Sequence, residues 1–270
     1  MKLISWNCNG INSVDSKGAL KEVFDLNPDI LCLQEVKTSK NLEKYFNKDY
    51  NCYFNPSTET ARSGVAIFSK QKAIKIKNGI GIEKFDREGR IQIAEFENFI
   101  LFNIYFPSSA RKERIPFKFE FFNSLTDYIQ NNEFSKPIII CGDFNRIASE
   151  MDAKSSDSIG ENGAFSPEEV EWFESFLDSG FIDSFRFKNP EKQLFSWWPF
   201  NGNGYSSDNG YRLDYFLVED SLKGKILDAD ILTSQEGSDH APVLLELDFD
   251  VRPSSGKENF ISNEKIVRLI

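Results

Sequence analysis

Short apolar runs that stop at a residue bearing chemistry limit the fold of this chain more than any other feature. Ile30 to Gln34 reads as a strand, apolar up to its last residue, and Glu35 follows at once. Residues 137–141 read as a second buried strand, and Gly142-Asp143-Phe144-Asn145 follows. An acid placed directly after a buried strand costs free energy unless it faces solvent or a cation. A hard divalent metal would take such a carboxylate as an oxygen ligand; a solvated glutamate at the strand end is the equal alternative. The glycine lets the chain turn sharply, so Asp143 and Asn145 project on one side as a base and its orienting amide.

The arrangement recurs along the chain. Residues 2–6 read as a strand closed by the turn Asn7-Cys8-Asn9-Gly10, whose two amides can orient a metal, a water or a phosphate. Asparagine is also common in turns for backbone reasons alone. Further strands are expected at 50–55, 64–69, 91–96 and 99–105. The last ends at Tyr105, a hydrogen-bond donor for phosphate or else a packed tyrosine, and a basic cluster of Arg111, Lys112 and Arg114 follows. Lys37 and Lys40 lie near enough to Glu35 to reach phosphate, though an ordinary surface position is expected for both. Five residues, SDHAP, hold the only histidine, His240, directly after Asp239. One imidazole beside an acid suits metal binding, proton transfer or phosphate contact, the alternative being a lone core or surface histidine. A strand beginning at Arg212-Leu213-Asp214 places Asp214 to orient that imidazole, and 243–247 closes the fold.

Helical spacing of apolar residues marks three segments: Leu20, Val23 and Phe24; Phe117, Phe121, Leu125 and Tyr128; and Val170, Phe173, Phe176 and Leu177, opened by Ser166 as cap and Pro167 in the first turn. An aromatic run at 195–200 precedes a polar loop and either packs in the core or stacks on bases.

A chain of 270 residues, 40% hydrophobic and without linker or repeat, makes one domain over 1–249 followed by a polar tail over 250–270. The 32 basic and 42 acidic residues leave a net charge of −10, which repels nucleic acid, so binding has to come from a local patch or from metal ions. No apolar stretch matches a signal peptide or a membrane span, and a cytoplasmic protein without membrane contact is expected. Four cysteines without a CxxC pair fit reduced, packed thiols. Carboxylates, amides and one imidazole gathered at strand ends describe a site for metal-assisted phosphoester hydrolysis.

The motifs SWNCNG, LCLQEVK, SGVAIFSK, EGRIQIAEF, NIYFPSS, CGDFN, SEMD, GYRLDYFLV and GSDHAPV occur in that order over roughly residues 1–249. Together they resemble the exonuclease III and abasic (AP) endonuclease branch of the endonuclease/exonuclease/phosphatase family. The resemblance implies a four-layer α/β sandwich, with two mainly antiparallel or mixed β-sheets packed face to face and helices outside. It implies Mg²⁺, with Mn²⁺ expected to substitute, held chiefly by Glu35 and helped by Asn7, Asn9, Asp143, Asn145 and Asp239. Asp143 would position or deprotonate the attacking water, Asn145 would hold the geometry, and His240, oriented by Asp214, would meet the scissile phosphate together with Tyr105. The activity implied is a DNA repair nuclease that cuts 5′ to abasic sites and trims 3′ ends, working as a monomer on damaged duplex.

Some positions depart from the pattern. Gly10 is followed by Ile11 where similar enzymes carry arginine. Ser155, Ser156, Asp157 and Ile159 replace residues that touch DNA, and Tyr205 and Asp208 replace an arginine and an asparagine. Trp197, Tyr211 and Leu213 still suit a small apolar pocket for a base-free sugar, and Arg111, Arg114, Tyr205 and Arg212 are the remaining substrate candidates. These changes leave two alternatives open: a relative turned toward single strands, RNA or a smaller phosphoester, and a nucleic-acid-binding protein with an inactive site.

Overall fold

The computed structural model describes residues 1–39, 42, 45, 49–59, 62–108, 112–154, 165–199 and 210–250. In chain order its strands are β1 (Lys2–Asn7), β2 (Ile30–Gln34), β3 (Asn51–Asn55), β4 (Val65–Ser69), β5 (Lys75–Asn78), β6 (Ile91–Glu95), β7 (Ile100–Tyr105), β8 (Ile138–Asp143), β9 (Phe181–Asp183), β10 (Asp214–Glu219), β11 (Ile226–Ile231) and β12 (Val243–Leu247). The helices are α1 (Ile11–Ser16), α2 (Ala19–Asp25), α3 (Glu83–Asp86), α4 (Ile115–Asn131), α5 (Pro167–Asp178) and α6 (Ser184–Lys188). The strands form two six-stranded sheets, in the orders β11-β12-β1-β2-β4-β3 and β5-β6-β7-β8-β10-β9. Each has one parallel pair at its centre, β1 with β2 and β7 with β8, between antiparallel neighbours.

The central strands are apolar on both faces because both faces are covered. Cys32, Ile67, Leu101, Ile139, Cys141, Phe216 and Leu245 come from both sheets and fill the space between them. On the outer side of the first sheet, Leu31, Leu33 and Phe68 meet Val14, Leu20 and Val23 of α1 and α2. Outside the second, Phe102, Ile104 and Ile140 meet Phe121 and Leu125 of α4 and Phe173 and Phe176 of α5. Alternation along β2 sends Leu31 and Leu33 outward and Cys32 inward. The expected four-layer sandwich is therefore what these runs build. Helix α5 starts as its sequence requires: the Glu169 amide donates to the Ser166 hydroxyl, and the Ser166 amide donates to the Glu169 carboxylate. All four cysteines are buried free thiols. Among the described residues no helix is long and apolar enough to cross a membrane.

The two parallel pairs matter for position, because they deliver the carboxyl ends of β1, β2, β7 and β8 to one edge of the sandwich. Register then aligns Asn7 with Gln34 in the first sheet, and Tyr105 with Asp143 and Asp143 with Asp214 in the second. Gly142 is obligatory in this arrangement: a Cβ there would lie 1.8 Å from the Ile104 carbonyl oxygen, at a φ of 136°.

Arg212 corrects an expectation. It is 1% exposed and so cannot grip a substrate. Its Nε and Nη2 donate to the two carboxylate oxygens of Asp152 at 2.7 and 2.9 Å, and Nη2 also meets Asp183 Oδ2 at 2.6 Å. Asp152 in turn accepts from Arg186 at 2.9 Å and from the backbone amides of Ala148 and Ser149. The cluster thus ties the chain after β8, the start of α6 and the start of β10 into one unit. Removing one partner of a buried pair strands the other charge, at a cost of about 3–5 kcal/mol. Asp152→Ala should lower the urea unfolding free energy by about that amount, and a loss under 1 kcal/mol would contradict this role for the cluster.

Candidate active site

The edge formed by the central strands carries most of the expected residues, and hydrogen bonds join them across the two sheets. Asn7 Nδ2, at the end of β1, donates to Glu35 Oε1 at 2.9 Å and to Asp143 Oδ2 at 2.8 Å. Its amide therefore bridges one carboxylate from each sheet. The Asn145 backbone amide donates to Asp143 Oδ1 at 2.8 Å, and Asn145 Nδ2 donates to the Phe106 carbonyl at 2.9 Å. Asn7 and Asn145 thus both hydrogen-bond Asp143 through nitrogen, while Asn7 Oδ1 accepts the Asn9 backbone amide at 3.1 Å.

On the other side, His240 Nδ1 lies 2.8 Å from Asp214 Oδ2, as expected, while Nε2 lies 3.9 Å from Asp143 Oδ2. The imidazole and the Asp214 carboxylate are both buried, so Asp214 sets which way the ring points and Nε2 is the atom turned toward Asp143. The Trp6 indole donates to the His240 carbonyl at 2.9 Å, fixing the backbone behind the ring. Asp239 accepts from Asn9 Nδ2 at 2.8 Å and from the Trp197 indole at 3.1 Å.

Two contributors go beyond what the sequence led us to expect. The Ser196 hydroxyl donates to Asp214 Oδ2 at 2.6 Å and accepts the backbone amides of Leu213 and Asp214. It sits inside an aromatic run that gives no hint of it; the only clue was that a buried Asp214 needs a second donor. Lys37, expected at an ordinary surface position, instead has its ammonium 2.6 Å from Glu35 Oε2 and in contact with Asn9 Oδ1. Asn9, Glu35, Lys37 and Asn145 also have left-handed backbones, four of the five such non-glycine residues described. Strain of this kind persists where the surroundings enforce it, often at functional sites.

Electrostatics follow from crowding acids at a buried point. Burial, then Asp214 and Glu35, push the Asp143 carboxyl up to about 7 against the opposing pull of His240. For His240, burial works downward, but Asp214 and Asp143 outweigh it and raise the imidazole to about 10. Burial also acts to raise Asp239, yet His240, Asn9 and Trp197 hold it below the usual carboxylate range. Burial, then the neighbouring Glu35 carboxylate, raise the Tyr105 phenol against the opposing pull of Arg90.

One donor atom each of Glu35, Asp143 and His240 falls within a group no wider than 4.8 Å. The two carboxylates of this group fit a hard divalent cation in donor type and charge, while His240, engaged by Asp214 and held in its protonated form, stands beside them as a hydrogen-bond donor. The Trp197 and Tyr211 rings stack at 5.8 Å and pack against buried Leu213. Leu213 itself is buried, which departs from the expectation that it lines a surface for the sugar. Arg114 is partly exposed but paired with Glu88 at 2.8 Å and laid over Phe117. Arg111, Tyr205, Lys40, Ser155, Ser156, Asp157, Ile159 and Asp208 lie outside the described residues.

Comparison with known proteins follows the same lines. A model of the Endonuclease/Exonuclease/phosphatase family matches residues 4–240. An exodeoxyribonuclease of Bacillus subtilis is 40% identical over 248 residues, covering 91% of this chain and 98% of that protein. The DNA-(apurinic or apyrimidinic site) endonuclease of Dictyostelium discoideum is 36% identical over 257 residues, covering 93% and 71%. Among solved structures, a 3′-5′ exonuclease from Neisseria meningitidis superposes with a TM-score of 0.81 at 25% identity, covering 92% of this chain and 100% of that one.

The single histidine makes one consequence directly readable. In metal-free protein, NMR should find the imidazole still protonated above about pH 8, and Asp214→Asn should move its midpoint down, because burial then acts with less opposition. The charged pair would stabilise the fold fully below the ordinary histidine pKa of 6.5 and lose that contribution as pH rises toward about 10. A wild-type midpoint near 6.5 would contradict this electrostatic picture.

Proposed function

The chain belongs to the endonuclease/exonuclease/phosphatase family, in its exonuclease III and abasic-endonuclease branch, and we propose on that premise how its site works as a DNA repair nuclease. The reaction is hydrolysis of a phosphodiester bond in DNA, by incision 5′ to an abasic site and by removal of nucleotides from a 3′ end. The observation that carries the reading is the chain of contacts Glu35–Asn7–Asp143, faced by a His240 that is itself held by Asp214.

Glu35 and Asp143, with Asp239 near by, are the residues we assign to holding Mg²⁺, or Mn²⁺ in its place. Such an ion supplies charge neutralisation on the scissile phosphate. The remaining work falls to the protein's own groups. Asp143, fixed by the Asn145 amide and by Asn7, orients the attacking water and takes its proton. His240 presents Nε2–H to a non-bridging phosphate oxygen, where negative charge grows, and Asp214 and Ser196 keep the ring from rotating away. The Tyr105 hydroxyl is directed at the same group from β7. The stacked Trp197 and Tyr211 leave an apolar wall suited to a sugar without a base.

A net charge of −10 favours one further reading, in which short or frayed 3′ ends are preferred to internal sites because they need fewer phosphate contacts. Matched duplexes, one with an abasic-site analogue and one intact, incubated with Mg²⁺ or with EDTA and resolved by product length, separate these. The account predicts a single Mg²⁺-dependent cut 5′ to the lesion. Trimming from 3′ ends alone would favour the second reading, and an absence of any Mg²⁺-dependent product would refute both.

A further inference from the structure

We infer that Arg90 is a positioning residue of this site and that it acts through Tyr105. The inference rests on the nuclease reading above, and register is its starting point. Ile91 on β6 pairs with Ile104 on β7, so the next step of that antiparallel ladder sets Arg90 opposite Tyr105. The Tyr105 amide indeed donates to the Arg90 carbonyl at 2.9 Å. Tyr105 pairs with Asp143 on β8, and Asp143 with Asp214 on β10. Arg90, Tyr105, Asp143 and Asp214 therefore form one continuous row across adjacent strands, and side chains in such a row share a face of the sheet. Three of the row are already assigned roles. Arg90 is its outer end.

The side-chain geometry gives this row a use. The guanidinium carbon of Arg90 lies 4.6 Å from the centroid of the Tyr105 ring, and Nη1 donates to the Tyr105 carbonyl at 3.1 Å. Arg90 thus holds the residue at its ring and at its backbone together. It is in turn held by Glu88, which accepts from Arg90 Nε and receives Arg114 Nη2 on both carboxylate oxygens at 2.8 and 2.9 Å. Arg90 and Glu88 are both buried, so neither is placed to meet a substrate phosphate. A planar cation fixed beneath an aromatic ring limits rotation of that ring, and hence the direction of its hydroxyl. Lysine keeps the charge but supplies neither the flat contact nor the fork of donors. Small misplacements of a reacting group are costly, so a loosened ring should show in turnover.

A double-mutant cycle tests this: wild type, Arg90→Lys, Tyr105→Phe and the double variant, assayed for kcat and KM on a duplex with one abasic-site analogue. We expect Arg90→Lys to lower kcat by about tenfold with KM within about twofold, and to lower it less than about twofold further when Tyr105 is already phenylalanine. Reductions that multiply would overturn the inference, as would a rise in KM with kcat intact, which would mark Arg90 as a direct substrate contact. Unfolding midpoints identify any variant that fails to fold. Should Arg90→Lys be one of them, Glu88→Gln frees Arg90 without removing it and enters the same cycle with the same expected outcome. A wild-type enzyme that cuts while the variants multiply refutes only the role of Arg90; a wild-type enzyme that does not cut refutes the nuclease reading.

Discussion

Bringing Glu35, Asp143 and Asp214 together at a buried sheet edge is electrostatically unfavourable, and the surrounding structure is arranged to offset that cost. Each carboxylate has its own neutral or cationic donors. Asn7 serves Glu35 and Asp143, the Asn145 amide serves Asp143, and Ser196 and His240 serve Asp214. Lys37 adds its ammonium to Glu35. Even so, Asp143 is pushed far above the ordinary carboxylate range. The residual field is what makes this edge a place for a divalent cation and for the phosphate it would bring. Stability and chemistry are therefore coupled here: donors that make the acids tolerable are also those that aim them.

The scaffold delivers this arrangement through topology. Parallel pairing of β1 with β2 and of β7 with β8 sends four carboxyl strand ends to one edge, and register aligns the groups of the second sheet in a row. The supports lie deeper. Lys118, buried on α4 and paired with Glu169 of α5, donates to the Asn145 carbonyl at 2.9 Å, so both outer helices help to hold the turn that carries Asp143. Arg212 does comparable work for the start of β10 and hence for Asp214. Basic side chains in this acidic protein are thus spent partly inside it.

Much of this was legible in the sequence because it rests on local rules. Ile30–Gln34 and Val243–Leu247 appear with the expected bounds, since each is a short, mainly apolar run of strand length. Ser166 and Pro167 mark the start of α5 as their capping chemistry requires. The candidate acids and amides were legible as strand-end residues. What stayed hidden depends on long-range packing. The edge strand β5, KIKN, carries charge where an edge must resist pairing, and β9 has only three residues. Ser196 and Lys37 are ordinary by type and become part of the site only because distant chain segments meet there. Arg212 looked like a substrate contact because arginine usually is exposed; its partners, Asp152 and Asp183, lie 60 and 29 positions away in the chain.

The central claim is that the carboxylate edge is a divalent-cation site that depends on Glu35. Binding of Mn²⁺ to the full chain without DNA, followed by electron paramagnetic resonance and compared between wild type and Glu35→Gln, tests it most directly. The account predicts saturable binding by the wild type, weakened by at least about tenfold in the variant, since one charged oxygen ligand is lost from the set. Equal affinity in the two proteins, or no saturable binding in the wild type, would contradict it.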